Sequence, residues 1–154
     1  MTNIKAKSVV RYQLFGSAES HARTLLKVRD LVDVSDEPEE RGGTNEGFAP
    51  TELFLSSLLA CSNVISHKIA RKNDINLMSY ELSMDIAFNR LGATLQEEID
   101  LPFPEIKLRI EATTDAPDEK LEILKRDLPR YCPIGKMIEA AGTRIETEWI
   151  FKRP

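Results

Sequence analysis

The stretch Thr51-Glu-Leu-Phe-Leu-Ser-Ser-Leu-Leu-Ala-Cys61-Ser-Asn-Val-Ile65 is apolar or small on nearly every face of a helix. Pro50 suits the first helical position, where its missing N–H is one that no helix partner would use. That makes Ala49 the N-cap, a poor one. It also places Glu52 third in the helix, where a carboxylate meets the positive end of the dipole and can reach back to a free N–H. The pattern predicts a helix from about Pro50 to Lys72. A helix without a wide polar face is expected at the centre of a domain or a dimer.

Upstream, Asp36 to Gly47 is a polar, glycine-containing loop. Before it, Ser8 to Phe15 is rich in strand formers, Gly16 to Ser20 reads as a turn, and Arg23 to Val34 reads as a second strand. Downstream, Tyr80 to Asn89 alternates, with Leu82, Met84, Ile86 and Phe88 on one face. Leu91 to Pro102 reads as a connecting loop. Phe103 to Thr114 alternates through Ile106, Leu108 and Ile110. Pro117 to Leu128 is amphipathic, with Leu121, Ile123, Leu124 and Leu128. A short helix is predicted from Pro133 to Ala141, closed by Gly142. Thr143 to Phe151 ends the pattern as a strand. The order β-β-α-β-β-α-α-β indicates an α+β fold rather than a doubly wound sheet.

A chain of 154 residues with 42% apolar content is expected to form a single domain over residues 1–154 with a real core. No uninterrupted apolar run reaches the roughly 18 residues of a membrane span. The first residues, Met1-Thr-Asn-Ile-Lys-Ala-Lys7, lack the apolar segment of a secretory leader. The cytoplasm is therefore the expected location, and no membrane partner is expected. A net charge of −4 without a basic block points away from nucleic acid. His21, Cys61, His67 and Cys132 show no metal-ligand spacing, so no metal is expected.

The chain has two cysteines. In a reducing compartment they are expected as thiols or a transient pair rather than a permanent staple. Cys132 opens the segment Cys132-Pro-Ile-Gly-Lys136. With Pro133 first in a helix, Cys132 is the N-cap, facing free N–H groups and the dipole, with Arg130 and Lys136 near in sequence. Those features predict a lowered thiol pKa and a nucleophile; a small residue buried before a helix is the plain alternative. Cys61 lies about ten residues into its helix, beyond the dipole's reach, where an apolar setting raises a thiol pKa. By local features it reads as a core residue unless another segment brings a cation or a donor.

The segment Gly42-Gly-Thr-Asn-Glu-Gly-Phe-Ala-Pro50-Thr-Glu-Leu-Phe-Leu-Ser-Ser-Leu-Leu-Ala-Cys61, together with Cys132-Pro-Ile-Gly-Lys136, resembles the OsmC/Ohr family of osmotically inducible and organic-hydroperoxide-resistance proteins. The resemblance covers nearly the whole chain. It implies an intertwined homodimer, with β-sheets wrapped around two long central helices and active sites at the dimer interface. It implies a peroxidase in which Cys61 attacks an organic hydroperoxide and becomes a sulfenic acid. Cys132 then resolves it as a disulfide, and a dithiol reductant, a lipoyl group or a small redox protein, restores the pair. That sequence is sound for adjacent thiols. No metal or organic cofactor is implied. The resemblance reverses the local ranking of the two cysteines.

The chain departs from the family pattern at the groups that hold the attacking thiolate. The family glutamate stands ten residues before the cysteine, where this chain has Thr51. Glu52 is nine before, which on an ideal helix turns it by about 180° and separates it from Cys61 by about 13 Å. Glu52 either holds an arginine at the helix start or is a helix-start acid only. The family arginine belongs to the early strand-and-turn region. Arg23 is the candidate chosen, with Arg29 and His21 nearby. These departures keep two other readings open: a ligand-binding dimer with little peroxidase activity, and a cysteine hydrolase or transferase using His21 or His67.

Overall fold

The computed structural model describes residues 8–154; the N-terminal heptad read above for a leader lies outside them. The chain forms two compact units, one through Leu55 and one from Ser56 to Pro154. The long helix α1 (Pro50–Lys72) crosses the boundary, with the limits expected from Pro50.

The first unit holds an antiparallel meander of β1 (Leu14–Ala18), β2 (Arg23–Val28) and β3 (Leu31–Asp36). Two sequence expectations shift here. The first strand starts later than Ser8 and runs through Gly16, which pairs with Leu26. The turn follows instead at Ser20, whose Oγ accepts from the N–H groups of Ala22 (3.2 Å) and Arg23 (3.1 Å). The single strand expected from Arg23 to Val34 is a hairpin, reversed at Arg29-Asp30, with Val28 paired to Leu31. Arg29 adopts φ 56°, a left-handed conformation that its side chain gave no reason to expect.

Asp36, at the end of β3, organises the loop that follows. It is wholly buried. Its Oδ2 accepts from the Thr44 hydroxyl (2.6 Å) and from the N–H groups of Thr44 and Glu46 (both 3.1 Å). The loop lies so close to β3 that a Cβ at Gly47 would sit 2.1 Å from the Val34 carbonyl oxygen, and one at Gly43 1.7 Å from that of Glu37. Only glycine fits at these two places.

The second unit is a sheet with a helical crossover. β4 (Ser79–Ala87) pairs antiparallel with β5 (Glu105–Thr113), and β5 pairs parallel with β6 (Arg144–Lys152). A parallel pair cannot be joined by a tight turn. The connection is α2 (Asp118–Tyr131) followed by α3 (Pro133–Ala140). The alternation read in the sequence appears as burial. Ile106, Leu108, Ile110 and Ala112 of β5 are buried, as are Leu121, Leu124 and Leu128 of α2. α2 runs three residues past Leu128, through Pro129. Gly142 takes φ 105° just past α3, as a helix-ending glycine should.

α1 buries a stripe rather than all its faces: Leu55, Leu58, Ser62, Ser66 and Ile69 are buried, while Phe54 and Val64 are about half exposed. By length and composition alone it could cross a membrane. Ser66, wholly buried, instead accepts a 2.7 Å hydrogen bond from the hydroxyl of Tyr80 on β4. Burial pushes the Tyr80 hydroxyl up to about 12, so it stays a donor.

The three hydrogen bonds to Asp36, that of the Thr44 hydroxyl first, hold its carboxyl below the ordinary range. A depressed folded-state pKa contributes stability that is complete above the unfolded value of about 3.9 and is lost as pH falls through the folded value. Melting temperatures between pH 7 and pH 2 should therefore fall on the acid side, and Asp36→Asn should lower stability at pH 7 while flattening that fall. Identical acid limbs in the two proteins would refute this role.

Candidate functional site

The site is built where α2 hands over to α3. Pro133 starts α3, and Cys132 before it takes an extended conformation (φ −73°, ψ 106°) as the N-cap. Its Sγ accepts from the Gly135 N–H at 3.3 Å, as the sequence led us to expect of that position. α1 passes beside this junction, and the Cys132 thiol donates to Sγ of Cys61 at 3.0 Å. Residues 71 positions apart thus meet, and both are free thiols. The sulfurs need approach by only about 1 Å to reach a bond of about 2.05 Å.

The expectation that helix geometry lowers the Cys132 pKa is overturned. Cys132 is 2% exposed. Burial pushes its thiol up to about 11, and the hydrogen bond with Cys61 pushes in the same direction. The N–H groups of Gly135 and Ile134 pull the other way and lose. A dipole end is worth up to about 2 kcal/mol where partly buried, whereas desolvation of a thiolate moves a pKa by several units. Cys132 therefore keeps its proton near neutral pH and offers it to the more exposed Cys61.

A cavity of about 350 Å³ reaches Cys132. Its lining combines the buried Leu58, Leu108, Leu128, Cys132 and Gly135 with the exposed Lys125, Pro129, Glu139 and Thr147. The half-buried Trp149 lines one wall and stacks on Phe151, with ring centres 5.4 Å apart. Sequence reading treated Trp149 as a sheet and core residue only. No spacing rule links it to Cys132, because the parallel β5–β6 pairing brings it there. A second concavity, about 460 Å³, has Lys68, Lys72, Arg126 and Arg130 with Asp127 on its lining.

Arg23 and Glu52 lie in the first unit. The Arg23 Nε donates to Glu19 at 2.7 Å, and its Nη1 donates to Glu46 and to Thr44 Oγ1 (3.2 Å) and lies 3.6 Å from Asp36. Glu52 accepts from the Ala49 N–H at 2.9 Å, the reach-back expected of a third-position acid. This compensates for the alanine cap. Nδ1 of His67 lies 2.9 Å from the Asn63 carbonyl one turn back, a local polar contact.

The family model described as OsmC-like protein matches residues 43–148. Among solved structures, an OsmC-like protein from Mycoplasma pneumoniae is 15% identical with a TM-score of 0.77, over 92% of this chain and 97% of its own. A hypothetical protein from Aquifex aeolicus VF5 is 20% identical with a TM-score of 0.75, over 95% and 99%. The organic hydroperoxide resistance protein OhrB of Bacillus subtilis is 17% identical with a TM-score of 0.55, over 93% and 98%. The curated proteins give no match. These likenesses establish the α+β fold read from the sequence.

The protonation of Cys132 is directly measurable. Thiolate absorbance of the Cys61→Ser protein, titrated from pH 6 to pH 12, should rise well above the free-thiol value of about 8.5. Ionisation at or below that value would mean that the helix end outweighs burial after all.

Proposed function

Because the chain belongs to the OsmC-like protein family, we propose that it is a thiol-dependent peroxidase acting on organic hydroperoxides. One observation carries this reading: two free thiols from distant segments stand 3.0 Å apart, one buried and protonated, the other more exposed and accepting its hydrogen bond. The Cys61 thiolate attacks the outer peroxide oxygen, the O–O bond breaks, and the alkoxide leaves and takes a proton from solvent to become the alcohol. Cys61 is then a sulfenic acid. Cys132 attacks its sulfur, water leaves, and a disulfide closes. A dithiol returns two electrons and two protons.

In this reading Arg23 supplies positive charge to the Cys61 thiolate and Glu52 fixes the helix start. The protein works as a homodimer in a reducing compartment, the cytoplasm. The exposed apolar residues Leu14, Phe15, Leu31 and Val32 of the first sheet, with Phe54 and Val64 of α1, support the dimer. A second reading, a ligand-binding dimer with little peroxidase activity, is favoured by the apolar cavity and by the carboxylates already engaging Arg23.

Stopped-flow oxidation by cumene hydroperoxide separates the two. We expect loss of two thiols at a rate at least on the order of a hundredfold above free cysteine. Cys61→Ser should abolish it, and Cys132→Ser should stop at a sulfenic acid that dimedone traps. A rate matching free cysteine would reject the peroxidase in favour of the binding protein.

A further inference from the structure

We propose that the concavity between the C-terminal halves of α1 and α2 binds a small organic diphosphate carried on a flat ring, the chemistry of a nucleoside diphosphate. The site is separate from the thiol pair and does not rest on the proposed peroxidase. Lys125, Leu128 and Pro129 of α2 line the cavity at Cys132, whereas Arg126, Asp127, Arg130 and Tyr131 line this one. At about 100° per residue, the two sets lie on opposite faces of α2.

The placement of charge carries the inference. Lys68 and Lys72 stand one turn apart on α1, Arg126 and Arg130 one turn apart on α2, and all four line the same concavity of about 460 Å³. Like charges at this spacing weaken a helix, and both helices carry such a pair on the side they share. Attraction to the helix dipole accounts for Lys72 and Arg130, which lie in last turns. It does not account for Lys68 and Arg126, one turn earlier. Among the described residues, neither lysine is in an ion pair. The acid on the lining, Asp127, holds the arginines in place. It accepts from Nε (2.7 Å) and Nη2 (3.0 Å) of Arg126 and lies 3.8 Å from Nη1 of Arg130. The Arg126 bond is the first of the influences that keep its carboxyl below the ordinary range, so it stays ionised.

The ligand follows from charge, size and the exposed ring. Four cations against one carboxylate leave three positive charges on the lining. A diphosphate ester carries about three negative charges near neutral pH, and its oxygens accept from guanidinium forks and ammonium groups alike. A monocarboxylate would leave most of the lining charge unanswered. The net charge of −4 disfavours an extended polyanion such as nucleic acid. The carbonyl end of α1 opposes an anion, but the Ile69 carbonyl already accepts from the N–H (3.2 Å) and the Nδ2 (2.8 Å) of Asn73. The volume is within the range of small-molecule sites and exceeds what a lone phosphate fills. Tyr131, 61% exposed on the same lining, offers a ring face on which a heterocycle can stack.

The test is calorimetric titration of the reduced full chain with ADP, pyrophosphate and inorganic phosphate, without divalent cations. We expect ADP to bind most tightly, then pyrophosphate, then phosphate, each more weakly as salt rises. The double variant Lys68→Gln, Lys72→Gln should weaken ADP by about tenfold or more, and so should Arg130→Gln. Arg71→Gln removes an exposed charge outside the lining and should change ADP affinity by less than about threefold. Tyr131→Ala should weaken ADP by about fivefold or more and leave pyrophosphate unchanged. Circular dichroism checks that each variant is folded. Absence of binding by ADP and pyrophosphate at millimolar concentration overturns the proposal. So does a loss in Arg71→Gln equal to that of the lysine pair, which would mean a diffuse field instead of a site. Pyrophosphate binding as tightly as ADP overturns the flat ring. A single-stranded oligonucleotide that binds more tightly than ADP overturns the small ligand in favour of nucleic acid. The last two comparisons use the unaltered chain and stand whether or not a variant folds.

Discussion

The burial of one sulfur decides the balance of forces at the thiol pair. Cys132 sits at a helix start, a place that ordinarily favours a thiolate, yet it is almost wholly buried. The favourable groups are two N–H dipoles; against them stands the removal of water from a charged sulfur. The second effect is larger, so Cys132 remains a donor. Its S–H is directed at the sulfur of the more exposed Cys61.

That arrangement depends on topology more than on local sequence. β5 and β6 run parallel, so their connection must climb back over the sheet. α2 and α3 make this crossover, and the break between them falls at Cys132-Pro133. Pro133 is suited to a first helical position and so fixes where the break lies. The buried stripe of α1 places Leu58 against the start of α3, near Gly135, and Cys61 follows one turn later. The cavity forms where helix crossover, sheet and α1 meet, and this is why its lining comes from five separate elements.

Much of the fold was legible because its signals are periodic or carried by glycine and proline. The start of α1 followed from Pro50, the buried face of β5 from alternation at Ile106, Leu108 and Ile110, and the end of α3 from Gly142. The β2–β3 hairpin was hidden because its turn is Arg29-Asp30, with no glycine to mark a left-handed residue. The first strand was misplaced because Gly16 was read as a turn, when Ser20 supplies the turn chemistry. In the site, the cap role of Cys132 and the reach-back of Glu52 were local and therefore readable. The pKa of Cys132 was not, because burial is a property of the packed fold and the dipole argument sees only the nearest turn. Trp149 and the cavity escaped for the same reason.

Arg23 is bound into a carboxylate network of its own unit. Its guanidinium already meets the carboxylates of Glu19, Asp36 and Glu46, and the Glu19 bond is the largest influence raising its pKa. Asp36 in turn is fixed by Thr44 and Glu46, so the cation belongs to the network that shapes the glycine loop. Moving it to serve a thiolate would break several charge-assisted bonds at once and leave the buried Asp36 carboxylate with less compensation. Cys61, for its part, has the Cys132 thiol as its hydrogen-bond partner.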